Sequence, residues 1–251
     1  MWRTRVLTGA VATMLATGLT GCGSGAIVPS ITVFAAASLQ SAFGEIAEQF
    51  TTDNPGTIVD FNFAGSSDLA IQLTEGASAD VFASANTVQM DKVADAGLLD
   101  GKAVTFAVNT LVIVTAPGNP DKVKSFADLA RPGLAVVVCQ RPVPCGAATH
   151  KAEKAARVQL NPVSEELDVA DVLSKVTTGQ ADAGVVYRTD ALKAGAKVAA
   201  VEFPEAADAV NTYPVAVLRD TAQFGLARKF VDLVTGEAGQ KILRAAGFGK
   251  P

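Results

Sequence analysis

The chain contains few of the side chains that most often carry out catalysis or hold metal ions. Its 251 residues include one histidine, His150, and three cysteines, Cys22, Cys139 and Cys145. No C-x-x-C, H-E-x-x-H, G-x-S-x-G or glycine-rich phosphate-loop pattern occurs. The sequence therefore gives no support to a zinc site, a serine-hydrolase elbow or a nucleotide-binding loop.

Charge is also scarce, and the balance is slightly negative. Charged residues make up 18% of the chain and the net charge is −4, whereas hydrophobic residues make up 49%. This balance argues against a general nucleic-acid binder, which needs a basic surface. It is the composition of a globular protein that is long enough for one or two domains.

The longest apolar run lies at the N-terminus. "VLTGAVATMLATGL" (6–19) follows Arg3 and Arg5 and leads into "LTGC", which ends at Cys22. This order is typical of a bacterial lipoprotein, whose signal peptide (1–21) is removed and whose new N-terminal cysteine is lipidated. An uncleaved anchor or an ordinary signal peptide is the alternative, although the run is shorter than the about 20 residues of a spanning helix.

Cleavage would leave a body outside the cytoplasmic membrane, joined to its lipid by a tether over 22–30. It would remove the only tryptophan, Trp2, and change the net charge to −6. In that oxidising compartment Cys139 and Cys145 are candidates for a disulfide, with two free or buried thiols as the alternative.

Behind the tether, apolar β-type runs alternate with helical patterns. Strands are predicted at 31–36, 58–64, 80–85, 111–116, 134–139, 183–187, 197–203 and 213–218. Apolar stripes with the helical period follow Ser38, Asp168 and Gln223. Alternation of this kind predicts an α/β fold with parallel strands and right-handed crossovers.

About eight strands suit two small sheets better than one large sheet. We predict that the chain leaves the first lobe within 109–118 and returns within 211–218. The first lobe would comprise 31–109 plus 213–251, and the second 110–212. Since ligands of open α/β sheets bind beyond the carboxyl ends of the strands, the site should lie in the cleft between the lobes.

Several predicted strands are followed by small residues and helix starts. They are Ser38 in "AAASLQ", Ser66 in "AGSSDL", Cys145 in "VPCGAAT" and Val169 after Asp168, and Tyr187 ends a further strand. The first N–H groups of a helix are unpaired and partially positive, so several helix starts aimed at one point form an anion site without lysine or arginine. For each serine alone the simpler interpretation is a helix cap, and Asp168 should cap its own helix.

Support for catalysis is weak. His150 lies five residues after Cys145, which suggests a Cys–His nucleophile pair. Positions five apart on a helix do not face one another well, and a disulfide would consume the thiol. We therefore expect His150 on the surface, and we expect the acidic pair Glu165 and Glu166 on a solvated surface as well.

Longer stretches of the chain resemble a known family. "ITVFAAASLQSAF", "FNFAGSSDLAIQLTEGASADVFASA", "GVVYRTDA", "YPVAVL" and "GFGK" are similar to the periplasmic molybdate-binding proteins of ABC importers. The resemblance covers essentially the whole chain behind the tether. It implies a two-lobed periplasmic-binding-protein fold of type II, with two α/β lobes joined by two crossing hinge strands. It also implies capture of molybdate, with tungstate indistinguishable from sequence, and delivery to an ABC permease with its ATPase subunits.

Carried over by motif, the resemblance assigns five ligand groups. Ser38 and Ser66 would donate through hydroxyl and backbone N–H, Cys145 and Val169 through backbone N–H, and Tyr187 through its hydroxyl. The family usually has alanine where this chain has Cys145, and Cys139 is an addition. All five residues can donate hydrogen bonds and none brings an acid into direct contact, which suits a fully ionised oxyanion.

The expectation is thus a monomeric binding lipoprotein on the extracytoplasmic face of the cell membrane, anchored through Cys22 and without enzymatic activity. No catalytic residue, direct metal-cation site or nucleic-acid partner is assigned, and no cofactor is expected besides the ligand, molybdate or tungstate. A binder of sulfate or another tetrahedral oxyanion, with the same fold, is the nearest alternative. A secreted hydrolase that uses Cys145 or Ser38 as nucleophile, or a structural lipoprotein without ligand, would represent other classes.

Overall fold

The computed structural model describes Trp2 and residues 28–251. Apart from Trp2, the predicted signal peptide (1–21) lies outside the described residues, as do Cys22 and most of the predicted tether (22–30). None of the helices within 28–251 is long and apolar enough to cross a bilayer.

Strands and helices alternate along the described chain. The strands are β1 Ser30–Ala36, β2 Ile58–Ala64, β3 Val81–Ala83, β4 Val104–Asn109, β5 Leu111–Thr115, β6 Val136–Cys139, β7 Ser164–Glu166, β8 Ala183–Tyr187, β9 Ala199–Val201 and β10 Asn211–Val217. The α-helices are α1 Gln40–Asp53, α2 Ser66–Thr74, α3 Thr87–Asp95, α4 Pro144–Ala156, α5 Val169–Thr177, α6 Arg188–Ala194, α7 Phe224–Thr235 and α8 Glu237–Ala245. Short 3-10 helices lie at Ala37–Leu39, Phe126–Ala130, Gly195–Lys197 and Pro204–Ala209.

The strands form two five-stranded sheets of matching design. The first has the order β2-β1-β3-β10-β4 and the second the order β7-β6-β8-β5-β9. In each sheet the first three strands are parallel, and the fourth runs antiparallel to both of its neighbours. The predicted α/β fold with two sheets is confirmed.

The chain crosses between the sheets near two asparagines that are register partners. It leaves the first sheet at Asn109, the end of β4, and enters the second at Leu111. It returns at Asn211, where β10 begins and pairs with Asn109. These crossings fall within the predicted ranges 109–118 and 211–218. Both asparagine side chains are buried, so polar groups occupy the joint between the two halves.

Each sheet is covered by helices that bury its apolar side chains. Around the first sheet, aromatic rings dominate the packing, with Phe43 and Phe230 in edge-on contact at 5.8 Å between ring centroids. Around the second sheet, valines of β5, β6 and β8 pack against α4 and α5. The predicted stripes are largely buried, but Phe224 is 43% exposed because it begins α7 at the surface, beneath Arg228.

Two strands were not predicted from the sequence. β4 alternates poorly between buried and exposed residues, and β7 consists of Ser164, Glu165 and Glu166. Glu165 is exposed, but the expectation of a solvated Glu166 is wrong, because its carboxylate accepts a bond from Lys175 Nζ at 2.5 Å. Burial raises the pKa of Glu166, but the bonds from Lys175 and Ser164 outweigh it, and the net pKa is lowered.

Candidate functional site

Ser38 lies in the 3-10 turn between β1 and α1. Its Oγ is 3.0 Å from the Tyr213 Oη on β10. The cap position of the turn is Ala36 and that of α1 is Leu39, and neither end has a side-chain cap. The expectation that Ser38 caps the helix is therefore wrong, because the extra turn places the serine inside it and turns the hydroxyl toward the neighbouring strand.

Ser66 is the first residue of α2, and Gly65 occupies the cap position. The Ser66 Oγ accepts a hydrogen bond from the Ala85 N–H at 3.0 Å. Ser66 is therefore not a cap either. A hydroxyl has one hydrogen and two lone pairs, so a hydroxyl that accepts from the backbone keeps its hydrogen for another partner.

The other two helix starts belong to the second sheet. Cys145 follows Pro144, the first residue of α4, and Val169 is the first residue of α5. Such early N–H groups have no partner within their own helix. The Asp168 Oδ1 accepts from the Asp171 N–H at 2.9 Å, so the prediction that this acid caps its own helix is confirmed.

Cys139 and Cys145 form a disulfide with their Cα atoms 5.7 Å apart, and both residues are buried. The bond leaves no thiol for a nucleophile. On the surface of α4, His150 Nδ1 lies 2.9 Å from Glu153 Oε2, and Arg141 Nη1 lies 3.4 Å from His150 Nε2. His150 is thus paired with neighbouring side chains at the surface, as expected.

Tyr187 ends β8 and is 1% exposed. Its Oη accepts a hydrogen bond from Asn211 Nδ2 at 2.6 Å, and its ring meets Tyr213 nearly edge-on at 6.0 Å. Burial raises the pKa of the Tyr187 phenol well above its usual value, and the charge interactions with Tyr213 and Asp190 raise it further. The hydroxyl therefore keeps its hydrogen at neutral pH and can donate it.

The structure brings all five predicted ligand residues together. They line one small cavity, together with Ala36, Ala37, Ala64, Gly65, Ala85, Val143, Pro144 and Asp168. Among these described residues there is no lysine, arginine or histidine, and the one carboxylate is held by its own helix. Within 28–251, no cluster of three or more His, Cys, Asp or Glu side chains is placed to hold a metal ion.

Direct contacts close the cleft around this cavity. Gln89 Nε2 of α3 donates to the Pro142 carbonyl at 2.8 Å, across from the first sheet to the second. A Cβ atom placed on Gly65 would lie only 2.2 Å from the Leu167 carbonyl oxygen, so in this arrangement the two halves meet backbone to backbone. The two halves are therefore in direct contact around the cavity, and the cleft is closed in this structure.

A buried carboxyl lies beside the site. Asp190 in the first turn of α6 accepts from the Tyr187 N–H at 3.2 Å. Burial raises its pKa from 3.8 to about 7; the Tyr187 N–H and Lys193 oppose this rise, and Asp168 adds to it. Asp190 also lines a second cavity next to Ser38, between α1 and α6.

Sequence reasoning missed the residues that support the ligand groups. Asn211, Tyr213, Gln89 and Asp190 are buried, yet the sequence pattern assigned none of them a role at the site. Their one signal is a polar residue within or beside an apolar run, as in "NTYPVAVL". A buried polar residue needs a hydrogen-bond partner, but the sequence pattern does not identify that partner.

Two α/β lobes enclose a cleft, and the cleft ends in a cavity lined by neutral hydrogen-bond donors. This arrangement defines a two-lobed solute-binding protein. A family model described as "Bacterial extracellular solute-binding protein" matches residues 31–249. The chain belongs to this family.

The sequence match to named relatives covers most of the chain. It is 60% identical to "Molybdate-binding protein ModA" of Mycobacterium tuberculosis over 254 residues, 97% of each chain. It is 34% identical to the protein of the same name from Escherichia coli over 229 residues, 87% of this chain and 88% of that one.

Solved structures share the architecture. The periplasmic molybdate-binding protein of Azotobacter vinelandii matches with a TM-score of 0.77 at 23% identity, over 88% of this chain and 99% of that one. The sulfate-binding protein SubI of Mycobacterium tuberculosis matches with a TM-score of 0.76 at 19% identity, over 88% and 86%. At such identities the likeness shows the fold alone, and the fold is that of two-lobed periplasmic binding proteins.

Proposed function

We propose that this protein captures molybdate, and tungstate by the same chemistry, and presents it to an ABC permease with its ATPase subunits. The observation that carries the proposal is the convergence of Ser38, Ser66, Cys145, Val169 and Tyr187 on one cavity without a free acid. The 60% identity to a molybdate-binding protein over nearly the full length supports the choice of ion.

The site favours a fully ionised oxyanion for a simple reason. Backbone N–H groups and hydroxyls can donate to an oxygen that carries no hydrogen, whereas an acceptor in contact with it would repel it. Hydrogen bonds to a charged acceptor are each worth roughly 1.5–3 kcal/mol, and the starts of α2, α4 and α5 add their dipoles. Local donors therefore bind an anion although the net charge of the whole chain is negative.

The role we propose is binding and transport, with no cofactor and no catalysed reaction. Membership of an extracellular solute-binding family supports a location outside the cytoplasm. In the described chain the one buried cysteine pair is a disulfide, which supports an oxidising compartment.

Calorimetric titration of the protein without its signal peptide tests the choice of ion. Molybdate and tungstate should bind with dissociation constants in the nanomolar to micromolar range, and sulfate and phosphate far more weakly. The double variant Ser38→Ala, Ser66→Ala should lose roughly 100-fold or more in molybdate affinity, because it removes two bonds to a charged acceptor. Equal or tighter binding of sulfate would favour the sulfate alternative, and undiminished molybdate binding by the double variant would contradict the site.

We also propose that a lipid on Cys22 holds a monomer at the outer face of the cell membrane. The "LTGC" motif behind an apolar run supports this. Cys22→Ala should move the protein from the membrane fraction to the soluble fraction while molybdate binding is kept. A variant that remains in the membrane fraction would show that another segment anchors the chain.

The lobe boundaries are part of the same proposal. We propose lobes of 31–109 plus 213–251 and of 110–212 that move apart to admit the ion. The partition of the strands into two sheets supports this division, and β10 extends the first sheet back to Asn211.

A further inference from the structure

Asn211 lies beneath the candidate site and contacts three segments of the chain. Its Nδ2 is 2.6 Å from Tyr187 Oη, 3.0 Å from the Ala85 carbonyl oxygen and 3.3 Å from the Pro144 carbonyl oxygen. Asn211 is 4% exposed and begins β10, the strand on which the chain returns to the first sheet. One amide therefore connects both sheets at the crossing.

The orientation of this amide is fixed by its partners. Backbone carbonyl oxygens accept hydrogen bonds and never donate them, so both Ala85 and Pro144 must face the –NH2 end of the side chain. The same nitrogen lies against the Tyr187 hydroxyl, and an amide nitrogen is not an acceptor. The two amide hydrogens are shared among these three acceptors, and the Tyr187 oxygen, at the shortest distance of 2.6 Å, accepts at this contact.

This arrangement determines where the Tyr187 hydrogen is available. A phenol has one hydrogen, and the bond from Asn211 keeps that hydrogen away from the amide side. Inside the protein, the ring of Tyr213 lies beside that of Tyr187, with the centroids 6.0 Å apart, and its hydroxyl is the neighbouring group that can share the hydrogen. An anion in the cavity is a stronger acceptor than a neutral phenol, so the hydrogen turns to the ion.

The other two contacts of Asn211 hold its amide in place beside further proposed ligand residues. Pro144 directly precedes Cys145 at the start of α4. The N–H of Ala85, whose carbonyl accepts from Asn211, donates to the Ser66 hydroxyl. Two residues further along β10, Tyr213 contacts the Ser38 hydroxyl.

We propose that Asn211 is a positioning residue: it presents the Tyr187 hydroxyl to the anion as a donor without touching the anion itself. The proposal rests on the proposed function, because it requires an anion in the cavity. Asn211 begins a strand and not a helix, and the proposal gives it a role in affinity.

A double-mutant cycle with molybdate titrations tests the proposal. Asn211→Ala should raise the dissociation constant by about tenfold or more, the size of one weakened bond to a charged acceptor. In a Tyr187→Phe background the same change should raise it by at most about threefold, because the hydroxyl that Asn211 orients is absent. Asn211→Ser, which keeps a polar group, goes through the same cycle, so that a folding defect of the alanine variant does not decide the outcome.

The control is Asn62→Ala, which removes a side-chain amide on β2 that donates to Gln72. It should leave the dissociation constant within about a factor of two in both backgrounds. A purely structural role for Asn211 would give equal losses with and without the Tyr187 hydroxyl, and that result would overturn the proposal.

A spectroscopic measurement gives a second readout. The chain has two tyrosines and, without the signal peptide, no tryptophan, so Tyr213→Phe leaves Tyr187 as the only such chromophore. In that background, without ligand, Asn211→Ala should shift the ultraviolet Raman bands that report a tyrosine oxygen acting as acceptor, and Asn62→Ala should not. An unchanged Tyr187 spectrum would overturn the proposal. If the parent binds no molybdate, the proposed function is wrong. If the parent binds molybdate but the cycle shows no coupling between Asn211 and Tyr187, only the proposed role of Asn211 is wrong.

Discussion

Among the five proposed ligand residues, Val169 is the one whose contribution can be isolated most cleanly. Its predicted donor is the backbone N–H at the first position of α5. Proline lacks this N–H, and its fixed φ suits the first helical position. Asp168 in front of it has extended backbone angles (φ −151°, ψ 171°), which a following proline favours.

We predict that Val169→Pro lowers molybdate affinity by roughly 10- to 100-fold, because one bond to a charged acceptor is lost while the helix start remains. Isothermal titration measures the loss, and circular dichroism checks that the helix content is unchanged. Thr87→Pro is the matched control, since Thr87 is the exposed first residue of α3 behind an extended Asn86. Parent-like affinity in Val169→Pro would remove this N–H from the site.

The hydroxyl groups of Ser38 and Ser66 show why residue type alone did not predict what a serine side chain contacts. Serine after a strand is most often a helix cap, yet Ser38 and Ser66 cap nothing. Their oxygen atoms instead contact Tyr213 and the Ala85 N–H. Those partners lie 175 and 19 residues away in the sequence, and only the register of the sheet brings them near.

At the scale of elements, α6 contains Asp190, a buried acid beside the site that makes the stability of the fold depend on pH. Folding raises the pKa of Asp190 from 3.8 to about 7, so the folded state holds an additional proton between these pH values. The contribution of Asp190 to stability is therefore complete below about pH 4 and is lost as the pH rises to about 7. Above that range the carboxylate is charged in both states, and its burial weakens the folded protein.

Asp190→Asn keeps the shape of the protonated acid and its acceptor oxygen. We predict that the variant has a higher melting temperature than the parent at pH 8, by several degrees, and a similar one near pH 4.5. Thermal unfolding by circular dichroism across this range measures the difference. Asp95→Asn, at the exposed end of α3, should leave the pH dependence of the parent unchanged. Parallel curves for the parent and Asp190→Asn would contradict a raised pKa.

Most elements could be predicted because the apolar pattern reports burial directly. β2 and β8 have the predicted limits. β8 is a continuous apolar run between Asp182 and Arg188, whereas in β2 apolar residues alternate with Asp60 and Asn62. β7 could not be predicted, because its acids are tolerated at a sheet edge only through Lys175, which lies on α5. A local pattern contains no record of such a distant partner.

At the scale of the whole molecule, the two halves meet across the cleft, and we expect the affinity for the proposed ion to depend on this contact. Gln89 is 2% exposed and donates to the Pro142 carbonyl on the loop inside the disulfide, yet it does not line the ligand cavity. An open cleft would return both groups to water. The bond therefore belongs to the closed form alone and adds to its stability.

We predict that Gln89→Glu weakens molybdate binding by roughly 10-fold or more, because a carboxylate would face the Pro142 carbonyl in a site closed to water. Stopped-flow measurements should find the change mainly in the dissociation rate. Gln49→Glu adds the same charge at an exposed position of α1 and should leave both rates nearly unchanged. Equal effects of the two substitutions would mean that net charge, and not the contact across the cleft, is responsible.

The sequence by itself determined the α/β class and most of the strands, and it proposed the crossing points and five ligand residues that line one cavity in the structure. These features follow from local patterns: apolar periodicity, small residues after strands, and motifs shared with a family. The tertiary structure decided which polar groups support the site, namely Asn211, Tyr213, Gln89 and Asp190. The physical reason is that a buried polar group is defined by its partner, and these partners come from strands and helices that only the fold brings together.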